Sequence, residues 1–278
     1  MQGMMRRGLL LSLYLILSFS LSAQDYHDLA ARAFDAAQHD SLEKAEILYK
    51  QALEKEPTNI RNSMLFSNLG TVQQRMGKID EAIESYSLGL NLAPQSVKIL
   101  LNRASLFLQK DLLDKAYIDY CNVLDVDRKN EEALLYRAYI YTRRRNYKEA
   151  RIDYNTLLQM LPEHRMGRLG LALLDQKEMR YREATEIFNR LLDEDPNDTA
   201  ILKARANLEM EMELPDMALL DVNTVIRLTP NDAEAYLMKG DIYLILKKKK
   251  DANKAYDKAV SLGIPRPEVL NRMKQQKN

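Results

Sequence analysis

Tryptophan is absent from this 278-residue chain, cysteine occurs once, at Cys121, and histidine three times, at His27, His39 and His164. A single thiol excludes any intramolecular disulfide, so packing must stabilise the fold. The three histidines fall in different segments and show no metal-ligand spacing. Glycine is scarce, at nine residues, and no phosphate-binding glycine loop, nucleophile elbow or zinc-protease motif is present. Gly167-Arg168-Leu169-Gly170 lacks the preceding strand that a nucleotide fingerprint requires. Neither charge sign is in excess, with 41 basic against 40 acidic side chains, which argues against a nucleic-acid partner. These shortages leave no constellation for catalysis, a metal or a cofactor, and a non-enzymatic protein is expected.

What the chain does have is a period. Alanine stands at 45, 82, 116, 150, 184, 218 and 252, spaced by 34 residues after a first step of 37. A period of this length marks stacked repeats. Four residues after each alanine comes Tyr49, Tyr86, Tyr120, Tyr154, Phe188, Val222 or Tyr256. Three further on is a small or branched apolar residue, and twelve before the alanine is Ala33, Gly70, Ala104, Ala138, Ala172, Ala206 or Gly240. Spacings of three and four place residues on one helix face, so each unit is predicted to be two helices in close contact. Pro57, Pro94, Pro162, Pro196 and Pro230 fall twelve residues after an alanine, where the second helix must end.

This pattern resembles the tetratricopeptide repeat. The clearest copy runs Phe66, Leu69-Gly70, Gly77, Ala82, Tyr86, Pro94, and the last runs Tyr236, Gly240, Tyr243, Ala252, Tyr256. The resemblance implies an all-α, right-handed α-solenoid of about seven helix-turn-helix repeats, at 26–58, 63–96, 97–130, 131–164, 165–198, 199–232 and 233–264 within a 24–264 array. Residues 265–278 would form a cap or tail containing a short polar helix. Departures are the missing tryptophan, Arg128 in place of proline in the third repeat, and three extra residues near Thr58–Asn62. Arg168 takes the opening apolar place of the fifth repeat between Gly167 and Gly170, which makes its first helix the expected irregular element.

In such arrays the first helices of successive repeats line a concave face. The positions just off the core face are Leu101, Ser105 and Leu108 in the third repeat, and Leu135 and Tyr139 in the fourth. Leu169 and Leu173 follow in the fifth, and Lys203 and Asn207 in the sixth. Ser67, Gln176 and Leu237 fall on the same count. An apolar middle with polar flanks suits a protein or peptide segment, with Tyr139 and Leu173 as anchors, although the leucines equally suit the margin of the core. Some family members hold a peptide's terminal carboxylate with lysine and asparagine on successive first helices. Lys203 and Asn207 match the start of that pattern, but Met238 stands where the next asparagine belongs.

One long apolar run exists, Leu9–Leu21, preceded by Arg6 and Arg7 and followed by Ser22-Ala23-Gln24. Thirteen residues fall short of the roughly 20 that span a bilayer, so 1–23 reads as a signal peptide cut after Ala23, with an uncleaved anchor as the alternative. The junction resembles export signals of Bacteroidetes, which implies a periplasmic or envelope location and no integral membrane segment after cleavage. The expected function is an exported adaptor that holds a protein or peptide along its groove. The alternatives are a structural envelope subunit, or a glycan- or lipid-contacting accessory that uses the basic turns Arg143–Arg145 and Lys247–Lys250.

Overall fold

A computed structural model describes residues 25–275, in which there are fifteen α-helices and no strand. The predicted signal at 1–23 and the last three residues of the predicted tail lie outside the described residues. The helices alternate between first and second members of a pair. The first members are α1 (25–38), α3 (Asn62–Arg75), α5 (Val97–Gln109), α7 (Glu131–Arg143), α9 (Arg165–Lys177), α11 (Thr199–Glu211) and α13 (Ala233–Ile245). The second members are α2 (Leu42–Lys55), α4 (Ile79–Leu92), α6 (Leu113–Val126), α8 (Tyr147–Met160), α10 (Tyr181–Glu194), α12 (Pro215–Leu228) and α14 (Lys249–Ser261), and α15 (Arg266–Gln275) follows. The chain divides into two compact units, one ending at Arg137 and the other beginning at Ala138, so the division falls inside α7.

Each recurring alanine is fully buried, as are the small residues at 33, 104, 138, 172 and 206. The aromatics four residues after each alanine are buried with them, because spacings of four and twelve bring ring and small residue to one helix–helix seam. Glycine at this seam permits a closer pose than alanine. A β-carbon on Gly240 would lie 2.4 Å from the Tyr256 ring, and one on Gly70 would lie 2.7 Å from the Tyr86 ring. So seated, Tyr86 reaches Thr71 at 3.1 Å and Tyr256 donates to Asp241 at 2.7 Å. Where Ala104 fills that space, the Tyr120 ring instead stacks on Tyr136 at 5.7 Å, and among the described residues its hydroxyl has no hydrogen-bond partner.

Turn chemistry repeats with the same period. Gly77, Asp111, Arg145, Met179, Glu213 and Lys247 all end their first helix with a positive φ, as does Asp40 in the first repeat. Only Gly77 is a residue that adopts this left-handed region without cost. The next first helix is capped by a side chain in four successive repeats. Asn130 accepts from the Ala133 N–H, His164 from Gly167, Asp198 from Ala200 and Ile201, and Asp232 from Ala235. His164 is thus a helix cap. Prolines 57, 94, 162, 196 and 230 each stand two residues past the end of a second helix. Without a proline, α6 stops at the same place, where Asp127 accepts from the Lys129 N–H and from Asn130 Nδ2.

Two expectations need correction. The first helix of the fifth repeat is a regular helix in register with its neighbours. Arg168 keeps an inward place by a two-pronged bond to Glu194, at 2.6 and 2.7 Å, and Gly170 makes room for the Tyr154 ring, 2.5 Å from where a β-carbon would sit. The last helix, which starts one residue before Pro267, turns one apolar side chain inward and changes the place of Leu237. Its Val269 is buried in a cluster with Leu237, Tyr256 and Ala259, with Met273 packed alongside. Leu237 therefore belongs to the core and not to the groove.

Two stability changes of opposite sign should follow. Met179→Gly removes left-handed strain at a side chain that is 75% exposed, and should stabilise the protein by about 1 kcal/mol in denaturant titrations. Gly240→Ala drives a methyl group into Tyr256 and should destabilise it by about 1–3 kcal/mol.

Candidate functional site

An arginine in the first helix links consecutive second helices. Arg103 donates Nε and Nη2 to Asp119 at 2.9 and 2.8 Å, and Nη1 to Ser87 Oγ at 2.9 Å. Asp119 lies sixteen residues ahead on α6, and Ser87 sixteen behind on α4. Arg205 repeats the arrangement, holding Asp221 on α12 with two bonds of 2.7 Å and Asn189 on α10 with one of 2.8 Å. Arg137 Nη1 lies 3.8 Å from Cys121 Sγ, again sixteen residues behind, so the single cysteine sits at a bracket position. Lys239 donates to Asn223 at 2.7 Å, but Ala255 replaces the forward carboxylate, and burial lowers the lysine's pKa. In the fifth repeat Leu171 and Ile187 occupy these places. The bracket ties each such first helix to the second helices on either side of it and so fixes how it presents its outer face.

On that face, Leu101, Ser105, Leu108 and Leu135 are half-buried in the first unit. In the second unit Leu169 is half-buried, whereas Tyr139 and Leu173 are each 39% exposed. The Tyr139 hydroxyl accepts from Arg143 Nη1 at 2.7 Å, and the guanidinium lies 5.8 Å from the ring centre. Leu173, Lys203 and Asn207 come together in one pocket of about 660 Å³, formed by α9, α11 and α13. Ala204, Met210, Met238 and Ile242 give it an apolar floor, and Glu234, Asp241 and Arg272 join its rim. Gln176, expected in the groove, lines this pocket although it is buried. Arg272 reaches in from α15 and bonds Asp241 at 2.6 Å.

Lys203 is engaged within the protein. It bonds Glu234 at 2.5 Å and lies 3.2 Å from Asp232. Burial works against its charge, yet these carboxylates hold its pKa above the usual lysine value. A free clamp lysine is therefore not what this position provides. A second pocket, of about 910 Å³, lies in the first unit between the N-terminal parts of α1, α3 and α5. Among the described residues no cluster of three or more His, Cys, Asp or Glu is placed to hold a metal ion, and no helix is long and apolar enough to cross a membrane.

Two family models, both described as tetratricopeptide repeat, match this chain, one at 65–96 and 233–262 and the other at 132–164. A tetratricopeptide repeat protein from Parabacteroides merdae ATCC 43184, of known crystal structure, is 33% identical with a TM-score of 0.76, over 92% of this chain and 100% of that one. The chain belongs to the tetratricopeptide repeat family. PilW, a widely conserved type IV pilus biogenesis factor, is 18% identical with a TM-score of 0.67, over 76% of this chain and 97% of PilW. YrrB, a tetratricopeptide repeat protein with an unusual peptide-binding site, is 20% identical with a TM-score of 0.50, over 69% of this chain and 99% of YrrB. Human DnaJ homolog subfamily C member 7 is 35% identical over 74 residues, and the chain spans only 15% of that relative's length.

Two buried carboxyls of these tetratricopeptide repeats behave oppositely. Burial opposes charge on Glu46, but bonds from Lys50, Lys78 and Gln73 outweigh it and pull its pKa down to about 2. Burial dominates at Glu209, the Asp221 carboxylate adds to it, and Arg205 only partly offsets them, so the pKa is pushed up to about 7. One Glu209 oxygen lacks any hydrogen-bond partner. The folded state thus binds the extra proton between pH 4.5 and about 7. This contribution to stability is present in full below the ordinary pKa and is lost as pH rises through the raised one. Glu209→Gln should therefore flatten the fall in melting temperature between pH 5 and pH 8, with a gain on the order of 1–3 kcal/mol at the higher pH. Parallel pH profiles for the two proteins would show that Glu209 does not titrate in this range.

Proposed function

We propose that the protein is an exported scaffold that holds a protein or peptide segment along the face made by its first helices. The pocket of α9, α11 and α13 carries this reading, because it pairs exposed Leu173 and the thioethers of Met210 and Met238 with polar Asn207, Asp241 and Glu234. An apolar floor with a few polar groups suits an apolar side chain presented by a polar backbone. Methionine supplies an adaptable contact, because its chain is unbranched and its sulfur polarizable. YrrB, which shares the fold, has a peptide-binding site in the same family of repeats. Support for export comes from the short apolar run Leu9–Leu21 and the small residues after it. N-terminal mass mapping of the protein recovered from cells tests this part, with Gln24 as the expected first residue.

Tyr139→Asp with Leu173→Asp should abolish partner capture from envelope extracts and leave the helical circular-dichroism signal intact. Both side chains are exposed, and a carboxylate at an apolar anchor costs roughly 1–3 kcal/mol of binding each. Arg145→Asp with Lys248→Asp, on the turns, should leave capture unchanged. Loss of capture in the turn variant alone would refute the reading and move the site to the basic edge.

A further inference from the structure

The pocket of the first unit has features that the second lacks. Its apolar lining is uncovered, with Phe34 53%, Ile60 75% and Met64 69% exposed. Clustered exposure of this kind marks an interaction surface. Ile60 and Arg61 belong to the segment by which the first repeat exceeds the 34-residue period. Asn59 fixes that segment, since its Nδ2 donates to Glu56 at 2.7 Å and its Oδ1 accepts the Arg61 N–H at 2.9 Å. The insertion is therefore an ordered turn that delivers one apolar and one cationic side chain to the pocket.

Charge and hydrogen bonding then narrow the occupant. Among the described residues Arg61, Lys98 and His27 line the pocket and no carboxylate does, whereas the pocket of the second unit sets Glu211, Glu234 and Asp241 beside Lys177, Lys203 and Arg272. The first turns of α3 and α5 add the partial positive charge of helix N-termini. Ser67, expected in the groove, lines this pocket while only 4% exposed, and among the described residues its hydroxyl has no hydrogen-bond partner. A buried hydroxyl without a partner is unfavourable, and an incoming carbonyl or carboxylate would satisfy it.

We propose that this pocket binds a peptide segment in which a large apolar side chain is flanked by carboxylates. The apolar group packs against Phe34, Ile60 and Met64, the carboxylates pair with Arg61 and Lys98, and a peptide or carboxylate oxygen accepts from Ser67. This inference rests on the scaffold reading but uses the other unit, so the two are separable by experiment.

Fluorescence anisotropy of the full chain with three labelled octapeptides tests it. Leucine alternates with aspartate in the first peptide and with lysine in the second, and serine alternates with aspartate in the third. Only the leucine–aspartate peptide should bind, and more weakly as salt rises. Arg61→Glu with Lys98→Glu, and separately Phe34→Ser, should each weaken it roughly tenfold or more, whereas Leu173→Asp should have no effect. All these side chains lie on the surface, so an unchanged circular-dichroism spectrum certifies each variant. Equal binding of the leucine–lysine peptide, or an unchanged affinity in the double charge reversal, would overturn the proposal. Binding that is lost in Leu173→Asp but kept in the charge reversal would also overturn it, placing the ligand in the second unit and leaving the scaffold reading intact. Decanoate binding where no octapeptide binds would assign the pocket to an amphiphile and overturn it as well.

Discussion

Two helix backbones can lie close together only where neither carries a bulky side chain at the crossing, and most of this structure follows from that limit. The fully buried alanines at 45, 82, 116, 150, 184, 218 and 252 meet it on the second helices, and small residues twelve positions earlier meet it on the first. Close approach in turn creates the slot in which each aromatic ring is buried. Over a glycine the ring sits closest, with its hydroxyl bonded in Tyr86 and Tyr256, whereas among the described residues the Tyr120 hydroxyl, beside Ala104, has no partner. A methyl group at the seam shifts where the ring lies but does not alone fix its bonding, since Tyr49 and Tyr154, facing Ala33 and Ala138, still bond Asn68 and Thr142. In a close-packed interior no slack absorbs the difference.

The helix pairs were legible because their signal is local and repeated. Small residue, aromatic and proline recur at fixed offsets, and each offset has one geometric meaning on a helix. Less legible was everything that depends on which side chain reaches which neighbour. The arginine brackets at 103 and 205 connect residues sixteen positions away in both directions, across two helix boundaries, and no helical periodicity points to such a spacing. Arg168 read as a break in the pattern because its partner Glu194 lies on the following helix. The turn residues were hidden for another reason. Left-handed backbone usually announces itself as glycine, and here aspartate, arginine, methionine, glutamate and lysine adopt it.

The candidate sites divide along the same line. The count along the first helices brought Leu173, Lys203 and Asn207 to one pocket, but it could not show that Lys203 is held by Glu234 and Asp232. Nor could it show that Leu237 is buried with Val269 of the last helix. The first-unit pocket was missed because the three-residue insertion looked like a slip in the period. Only the folded turn reveals that Ile60 and Arg61 face the same opening as Phe34 and Lys98. The two units thus present different chemistry, cationic and apolar in one, mixed in charge in the other.

The brackets carry a consequence for how this array could change over generations. A repeat that contributes an arginine needs an acceptor sixteen residues back, supplied by the repeat before it. Ser87 serves Arg103, and Asn189 serves Arg205. The fifth repeat, with Leu171 and Ile187, asks for no forward carboxylate, yet it must still offer Asn189 to its successor. The residue offered to the next repeat is Ser87, Cys121, Asn155, Asn189 or Asn223 in turn, and the forward carboxylate belongs to the arginine's own repeat, so a duplicated repeat would still place its guanidinium against a small or polar side chain. This contact therefore lets whole repeats be gained or lost without stranding a charge.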